Sequence, residues 1–100
     1  MPRDVSKRLT ELFSLENKVA LITGGGGAIG GEMAKALSQV GAAVVLADRD
    51  LSGMQAMAEA IIADGGDVLV IETDLLKLPS IHNCVEKAVE RFGKIDILIN

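Results

Sequence analysis

The sequence alternates short, continuous apolar runs with longer segments in which apolar residues recur every three or four positions. A strand buried on both faces of a parallel sheet reads as a continuous apolar run, whereas a surface helix shows the three-to-four spacing. Alternating strands and helices build a parallel sheet with right-handed crossovers and helices on both faces. The pattern therefore predicts an α/β fold, with strands over residues 18–23, 42–47, 67–73 and 95–99.

The three helices predicted between these strands differ in how clearly their ends are marked. The second is predicted to follow Asp50 as its N-cap and to end before Gly65. The start of the third is open between Pro79 in the first turn and Ser80 as a cap one turn later. The first ends before Gly41, and its predicted buried face consists of Ile29, Met33, Ala36, Leu37 and Val40.

The stretch TGGGGAIGG, residues 23–31, joins the first predicted strand to the first predicted helix. A helix N-terminus offers free N–H groups and a positive dipole end to an anion, and glycine lets a phosphate approach the main chain. A glycine-rich turn alone is a weak signal, but one between the strand and helix of a βαβ unit favours a dinucleotide. We expect the Thr23 hydroxyl to tie this loop to the neighbouring strand, and Gly30 and Gly31 to let the helix pack closely on the sheet.

Asp48 closes the second predicted strand and is the candidate ribose contact. A carboxylate at this position can accept hydrogen bonds from the ribose hydroxyls of an adenosine, and it repels a 2′-phosphate. The adjacent Arg49 argues the other way, because a guanidinium can pair with a 2′-phosphate or lie over the adenine face. With no second basic residue in the glycine loop, the sequence favours NAD over NADP.

Charge and cysteine content exclude several classes of partner. The formal net charge is −4 and basic residues are not clustered, so neither nucleic acid nor an anionic membrane surface is an expected partner. The lone Cys84 cannot form an internal disulfide and is predicted to be a core residue. No apolar run approaches the length of a membrane span, and the N-terminus lacks a signal-peptide pattern. We therefore expect a cytoplasmic protein without a metal site.

These residues resemble the short-chain dehydrogenase/reductase family over residues 13–100. The glycine motif of that family, T-G-x-x-x-G-x-G, is matched from Thr23 to Gly30, with Ala28 in place of the middle glycine. Its adenine-contacting aspartate corresponds to Asp74, followed by Leu75, and its N-N-A-G motif would begin at Asn100. The residues alone leave Asp74 open between capping the loop after the third strand and contacting adenine. Residues 1–12 are then an N-terminal extension to the family domain.

The resemblance implies a Rossmann-type, doubly wound parallel sheet in strand order 3-2-1-4. It also implies an NAD-dependent oxidoreductase that moves a hydride between the nicotinamide and a carbinol carbon of a small polar alcohol or its ketone. Homotetramers are usual in the family, so a homo-oligomer is expected. The opening FSLENKVALITGGGGAIGGEMAKAL is similar to members that act on sugar acids such as D-mannonate. The cofactor-binding residues under this interpretation are Gly24, Gly26, Gly27 and Ile29 at the pyrophosphate, Asp48 and Arg49 at the adenosine, Asp74 and Leu75 at the adenine edge, and Asn100 near the nicotinamide ribose.

The chemistry in this family belongs to a Ser, a Tyr-x-x-x-Lys pair and an Asn. The present sequence contains no tyrosine, so no catalytic residue is predicted in it. In the order 3-2-1-4 the fourth strand would also leave an apolar edge exposed. We therefore expect a truncated domain that supplies only the cofactor-binding part of a longer enzyme. The alternative is a non-catalytic module that binds or senses a dinucleotide.

Overall fold

The computed structural model describes residues 5–100, and its elements alternate as predicted. They run in the order α1 (Val5–Phe13), β1 (Val19–Thr23), α2 (Ala28–Gln39), β2 (Ala43–Asp48), α3 (Leu51–Ala63), β3 (Val68–Glu72), α4 (Leu78–Phe92) and β4 (Ile97–Ile99). The predicted extension 1–12 lies within α1 from residue 5 onward, and residues 1–4 fall outside the described part of the chain.

The four strands form one parallel sheet in the order β3-β2-β1-β4. Val19 pairs with Ala43, and Ala20 pairs with Ile97 on the other side of β1. This arrangement confirms the predicted fold class and strand order. β4 lies at an edge of the sheet with Leu98 60% exposed.

Both faces of the sheet are covered, which explains why the strands read as continuous apolar runs. Successive residues of β1 point to opposite faces: Ile22 packs with α2 and α3, and Leu21 packs on the α4 side. Met54 of α3 is fully buried in the first cluster, and Cys84 of α4 is buried in the second. The prediction that Cys84 is a core residue is confirmed. Within residues 5–100, no helix combines the length and the apolar character that crossing a membrane requires.

The predicted buried face of α2 is wrong at Ile29, Met33 and Ala36, whereas Leu37 is half-buried and packs against the core. Ile29 is 79% exposed and Met33 is 39% exposed, whereas the buried residues of this helix are Gly31 and Ala34. Since small side chains let two backbones approach, α2 packs closely through Gly31 and Ala34, while Ile29 and Met33 are turned outward. A Cβ on Gly31 would lie 2.8 Å from the terminal methyl carbon of Met57, so its close contact is with α3.

The start of α4, which the sequence left open, agrees with the alternative that places Pro79 in the first turn, whereas β4 begins later than predicted. α4 begins at Leu78 with Pro79 in its first turn, so Ser80 does not cap a later start. The Ser80 hydroxyl instead accepts the Asp74 N–H at 2.8 Å. β4 begins at Ile97, because Asp96 accepts the Val19 N–H at 2.8 Å with its carboxylate and so fixes the loop before the strand. That hydrogen bond, with the Lys94 ammonium 3.1 Å away, holds the pKa of the Asp96 carboxyl below its ordinary value of 3.8.

Candidate functional site

The candidate site lies at the carboxyl ends of the strands, where the loop from β1 to α2 passes between β2 and β4. β2, the next strand in the chain, lies beside β1 on one side, and β4 lies beside β1 on the other side. In open α/β sheets, this reversal of strand order creates a crevice in which ligands bind. The glycine loop, Gly24–Gly27, occupies that crevice.

Glycine is required at Gly24 in the loop and at Gly30 in the first turn of α2. Gly24 has φ +70°, a conformation that residues with side chains rarely adopt, and its N–H donates to the Ala47 carbonyl at 2.8 Å. The loop then turns back, so that the Gly27 N–H donates to the Gly24 carbonyl at 3.0 Å. A Cβ on Gly30 would overlap the Gly24 carbonyl oxygen. Gly30 therefore lets α2 begin directly against the loop.

The first turn of α2 leaves backbone donors for an external acceptor. Its N-cap, Gly27, has no side-chain capping hydrogen bond from any residue of the described range 5–100. The first bond inside the helix runs from the Gly31 N–H to the Gly27 carbonyl at 2.9 Å. The N–H groups of Ala28, Ile29 and Gly30 therefore have no partner within the helix. Together with the helix dipole, they can hold an anion such as a pyrophosphate.

Asp48 ends β2 beside this loop and is half-buried. Its Oδ2 accepts the Gly26 N–H at 3.0 Å, while its Oδ1 accepts the Arg49 N–H at 2.7 Å and the Asp50 N–H at 3.3 Å. A carboxylate offers about four lone-pair sites, so these three donors leave about one site, on Oδ2, for a ligand hydroxyl. Asp48 thus fixes the glycine loop and keeps about one acceptor site on Oδ2 for a ligand hydroxyl.

A cleft of 220 Å³ opens on the β2 side of the loop. The Arg49 side chain is exposed at this cleft, and Leu75 is 50% exposed. Asp74 is half-buried, and its Oδ1 accepts the Leu76 N–H at 3.0 Å. The Asp74 carboxylate therefore stabilises its own turn, which does not exclude a further contact with a ligand. The cleft brings together the residues predicted for the adenosine end, and its lining is Gly24, Ala47, Asp48, Arg49, Thr73, Asp74, Leu75 and Leu76.

A second cleft, of 450 Å³, opens on the β4 side of the same loop. The exposed Ile29 side chain lines it, as do Met33 and Asn100. The Thr23 hydroxyl lies 2.9 Å from the Asn100 Oδ1 and 3.3 Å from the Ile99 carbonyl oxygen. The predicted tie between Thr23 and the neighbouring strand is therefore present, and it connects the loop end of β1 to the end of β4.

Gly24 lines both clefts, whereas the predicted residue Gly26 lines neither. A further cleft of 210 Å³, towards α4, is lined by both Leu75 and Asn100, so the two groups of predicted residues also meet there. A larger cleft, of 610 Å³, lies between β3 and α4 and contains residues such as Leu69 and Lys87. It does not include any of the predicted site residues, and its charged side chains are of both signs. The geometry therefore favours the glycine loop over the larger cleft as the functional site.

Sequence reasoning missed Gly53, in the first turn of α3. A Cβ on Gly53 would overlap the Gly26 carbonyl oxygen, so this residue belongs to the surroundings of the loop. A signal was present, because glycine inside a helical pattern weakens the helix relative to alanine. A glycine at such a position therefore indicates a packing or functional role.

Comparison with known proteins is consistent with this geometry. The family model for short chain dehydrogenases matches residues 18–100. An uncharacterized oxidoreductase of Methylorubrum extorquens is 41% identical over 90 residues, which are 89% of this chain and 36% of that protein.

Two solved structures with bound cofactor are also similar. A protein from Haemophilus influenza that is assigned as a D-mannonate oxidoreductase, solved with bound NAD, has a TM-score of 0.84 and 31% identity over 90% of this chain and 32% of its own. A metagenomic short-chain oxidoreductase in complex with NADP has a TM-score of 0.80 and 32% identity over 86% of this chain and 39% of its own. The chain thus spans 32% to 39% of the length of these three proteins.

Proposed function

This chain belongs to the short-chain dehydrogenase family, and from that premise we propose that it forms the cofactor-binding part of an NAD-dependent oxidoreductase. The observation that carries the proposal is the Asp48 carboxylate beside the uncapped first turn of α2, with Asp48 Oδ2 3.0 Å from the Gly26 nitrogen. This pairing offers one acceptor for a ribose hydroxyl and a set of donors for a pyrophosphate.

The loop fits a dinucleotide because its glycines keep the approach to α2 free of side chains. Gly24 has no neighbouring heavy atom within 4 Å of a Cβ position, so the space beside its Cα is open to a ligand. The N–H of Ile29 lies in the first turn of α2, where it would bind a pyrophosphate oxygen. Gly26 and Gly27 would bring the main chain to the phosphates.

NAD is the favoured cofactor because of the charge at Asp48. A 2′-phosphate placed in the 220 Å³ cleft would face this carboxylate, and like charges at contact distance repel each other. Arg49 is exposed at the same cleft and would attract such a phosphate, so the preference depends on which charge lies closer to the ribose. Three backbone N–H groups donate hydrogen bonds to the Asp48 carboxylate and hold it at the end of β2, whereas the Arg49 side chain is exposed.

The proposed reaction oxidises a CH–OH group of a small polar substrate to a ketone, or runs in reverse. The glycine loop and Asp48 would hold NAD, which would supply the hydride acceptor for the carbinol carbon, and the hydroxyl proton would pass to a general base. The described residues bind and orient the cofactor, and Asn100 and Ile29 line the cleft on the β4 side. A sugar acid is the proposed substrate class, supported by the similarity to the protein assigned to D-mannonate.

The proposal is tested on the full-length protein with NAD and NADP, each offered with D-mannonate, related sugar acids and simple polyols. We expect NADH to form with NAD and a sugar acid, and a lower kcat/KM with NADP. Binding of NAD without turnover of any substrate would favour the non-catalytic module. If the protein bound neither dinucleotide, the proposed function would be wrong.

A further inference from the structure

The glycine loop and the first turn of α3 are in contact through their backbones. A Cβ on Gly53 would overlap the Gly26 carbonyl oxygen. In the other direction, a Cβ on Gly26 would lie 2.7 Å from the Asp50 carbonyl oxygen. Real Cβ atoms essentially never come within 3.0 Å of such atoms, so either side chain would force the loop and the helix apart. The close approach therefore requires glycine on both sides.

Hydrogen bonds hold both partners of this contact in place. The Gly26 N–H donates to Asp48 Oδ2 at 3.0 Å. The Gly53 N–H donates to Asp50 Oδ1 at 3.0 Å, which caps α3, and the Met54 N–H donates to the Asp50 carbonyl at 3.1 Å. Gly26 thus lies between the end of β2, which its N–H contacts, and the start of α3, which its carbonyl contacts, and its position depends on both.

We propose that Gly53 is a positioning residue of the dinucleotide site. This inference rests on the proposed function, because it assigns Gly53 a role in placing the loop that would bind the cofactor. Without a side chain at Gly53, the Gly26 carbonyl packs directly on α3, and the N–H of the same residue reaches Asp48. An alanine at this position overlaps both the Gly26 carbonyl oxygen and the Asp50 carboxylate. It therefore displaces Gly26, separates its N–H from Asp48 and shifts the phosphate-binding loop relative to the ribose acceptor.

The test compares Gly53→Ala with Gly65→Ala in the full-length protein. Gly65 follows the C-terminal end of α3, has φ +85° and has no heavy atom within 4 Å of a Cβ position. Its substitution therefore strains the backbone without touching the loop. We measure the Kd for NADH by fluorescence, the KM for NAD and kcat with a turned-over substrate, and Tm.

Gly53→Ala is expected to raise the Kd and the KM by about tenfold, which is comparable to losing one hydrogen bond to a charged group. The kcat at saturating NAD should stay unchanged, because the nicotinamide end lies in the other cleft. Gly65→Ala should lower Tm and leave Kd and KM unchanged. An unchanged Kd in Gly53→Ala with a raised Tm would overturn the proposal, since alanine is the better helix former and nothing would then oppose it.

A second measurement does not depend on the variant folding. Amide hydrogen exchange of Gly26 in the ligand-free wild-type protein reports whether its N–H is held by Asp48. Protection of the Gly26 amide is expected, and exchange at the rate of an open loop would overturn the inference. Because this readout uses no cofactor, it separates failure of the positioning role from failure of the proposed NAD binding.

Discussion

Replacing Asp48 by alanine tests the assignment of the ribose contact. The substitution removes the acceptor for a ligand hydroxyl and the acceptor that fixes the Gly26 N–H at 3.0 Å. A hydrogen bond to a charged group contributes about 1.5–3 kcal/mol. Because three backbone donors already occupy Asp48, we count one such bond to the ribose. The Kd for NAD is therefore expected to rise by about 10- to 150-fold.

The assay is a titration of the full-length protein with NADH and NADPH, followed by cofactor fluorescence. Glu72→Ala is the matched control. Glu72 pairs with Asp48 in the strand register, so its substitution removes the same charge from the neighbouring strand. Glu72 is exposed and lines the cleft between β3 and α4, so its loss should leave both Kd values unchanged.

The Kd of Asp48→Ala for NADPH provides a second test of the same assignment. Without the carboxylate, the 2′-phosphate is no longer repelled, and Arg49 is exposed beside it. The ratio of the NADPH Kd to the NADH Kd should therefore fall in Asp48→Ala. The reasoning is refuted if NADH binds the variant as tightly as the wild type, or if both cofactors weaken by the same factor.

Two further predictions concern the loop and the sheet. Gly30→Ala places a Cβ on the Gly24 carbonyl oxygen. The variant should therefore lower the free energy of unfolding in urea by about 1–3 kcal/mol and weaken NADH binding. The control variant Ala28→Gly should leave NADH binding nearly unchanged. Asp96→Asn tests the lowered pKa of Asp96. A carboxylate whose pKa is lowered by folding stabilises the fold above its ordinary pKa of 3.8, and this stabilisation is lost as the pH falls through its pKa in the folded protein. The difference in Tm between wild type and Asp96→Asn should therefore shrink below pH 3.8, and a constant difference would contradict this account.

The sequence predicted the sheet well because burial on both faces leaves a simple signal. Residues such as Leu21 and Ile22 must both be apolar when one faces α4 and the other faces α2 and α3. The strand order could be predicted only through the family resemblance, since apolar runs do not reveal which strands are neighbours. The start of β4 could not be predicted, because it depends on the hydrogen bond between Asp96 and Val19, which are distant in the chain.

The buried face of α2 could not be derived from hydrophobicity, because packing distance decided it. The spacing of Ile29, Met33 and Leu37 predicts a buried apolar stripe. In the structure, Gly31 and Ala34 are the buried residues, Leu37 is half-buried against the core, and a Cβ on Gly31 would come within 2.8 Å of Met57. The exposed Ile29 consequently lines the cleft on the β4 side of the loop.

The candidate site was predictable to the extent that it depends on local spacing. The glycine loop and Asp48 follow strands in a pattern with a direct physical reason, and the structure places them 3.0 Å apart. Gly53 was not predictable in the same way, because its role arises from a contact with Gly26 between elements that the sequence separates. Such backbone-to-backbone contacts leave only an unexpected glycine in a helix as their signal.

The two clefts on either side of Gly24 imply that binding and turnover respond to different residues. Of these two clefts, Asp48 lines the one on the β2 side and Asn100 lines the one on the β4 side, while Asn100 also lines a 210 Å³ cleft with Leu75. A dinucleotide across the loop would place its pyrophosphate at the first turn of α2, with its two ends in separate clefts. Asp48→Ala should therefore change the Kd and the KM for the cofactor and leave kcat at saturating NAD unchanged. A large fall in kcat at saturation would mean that Asp48 also controls the nicotinamide end, which this division of the site does not allow.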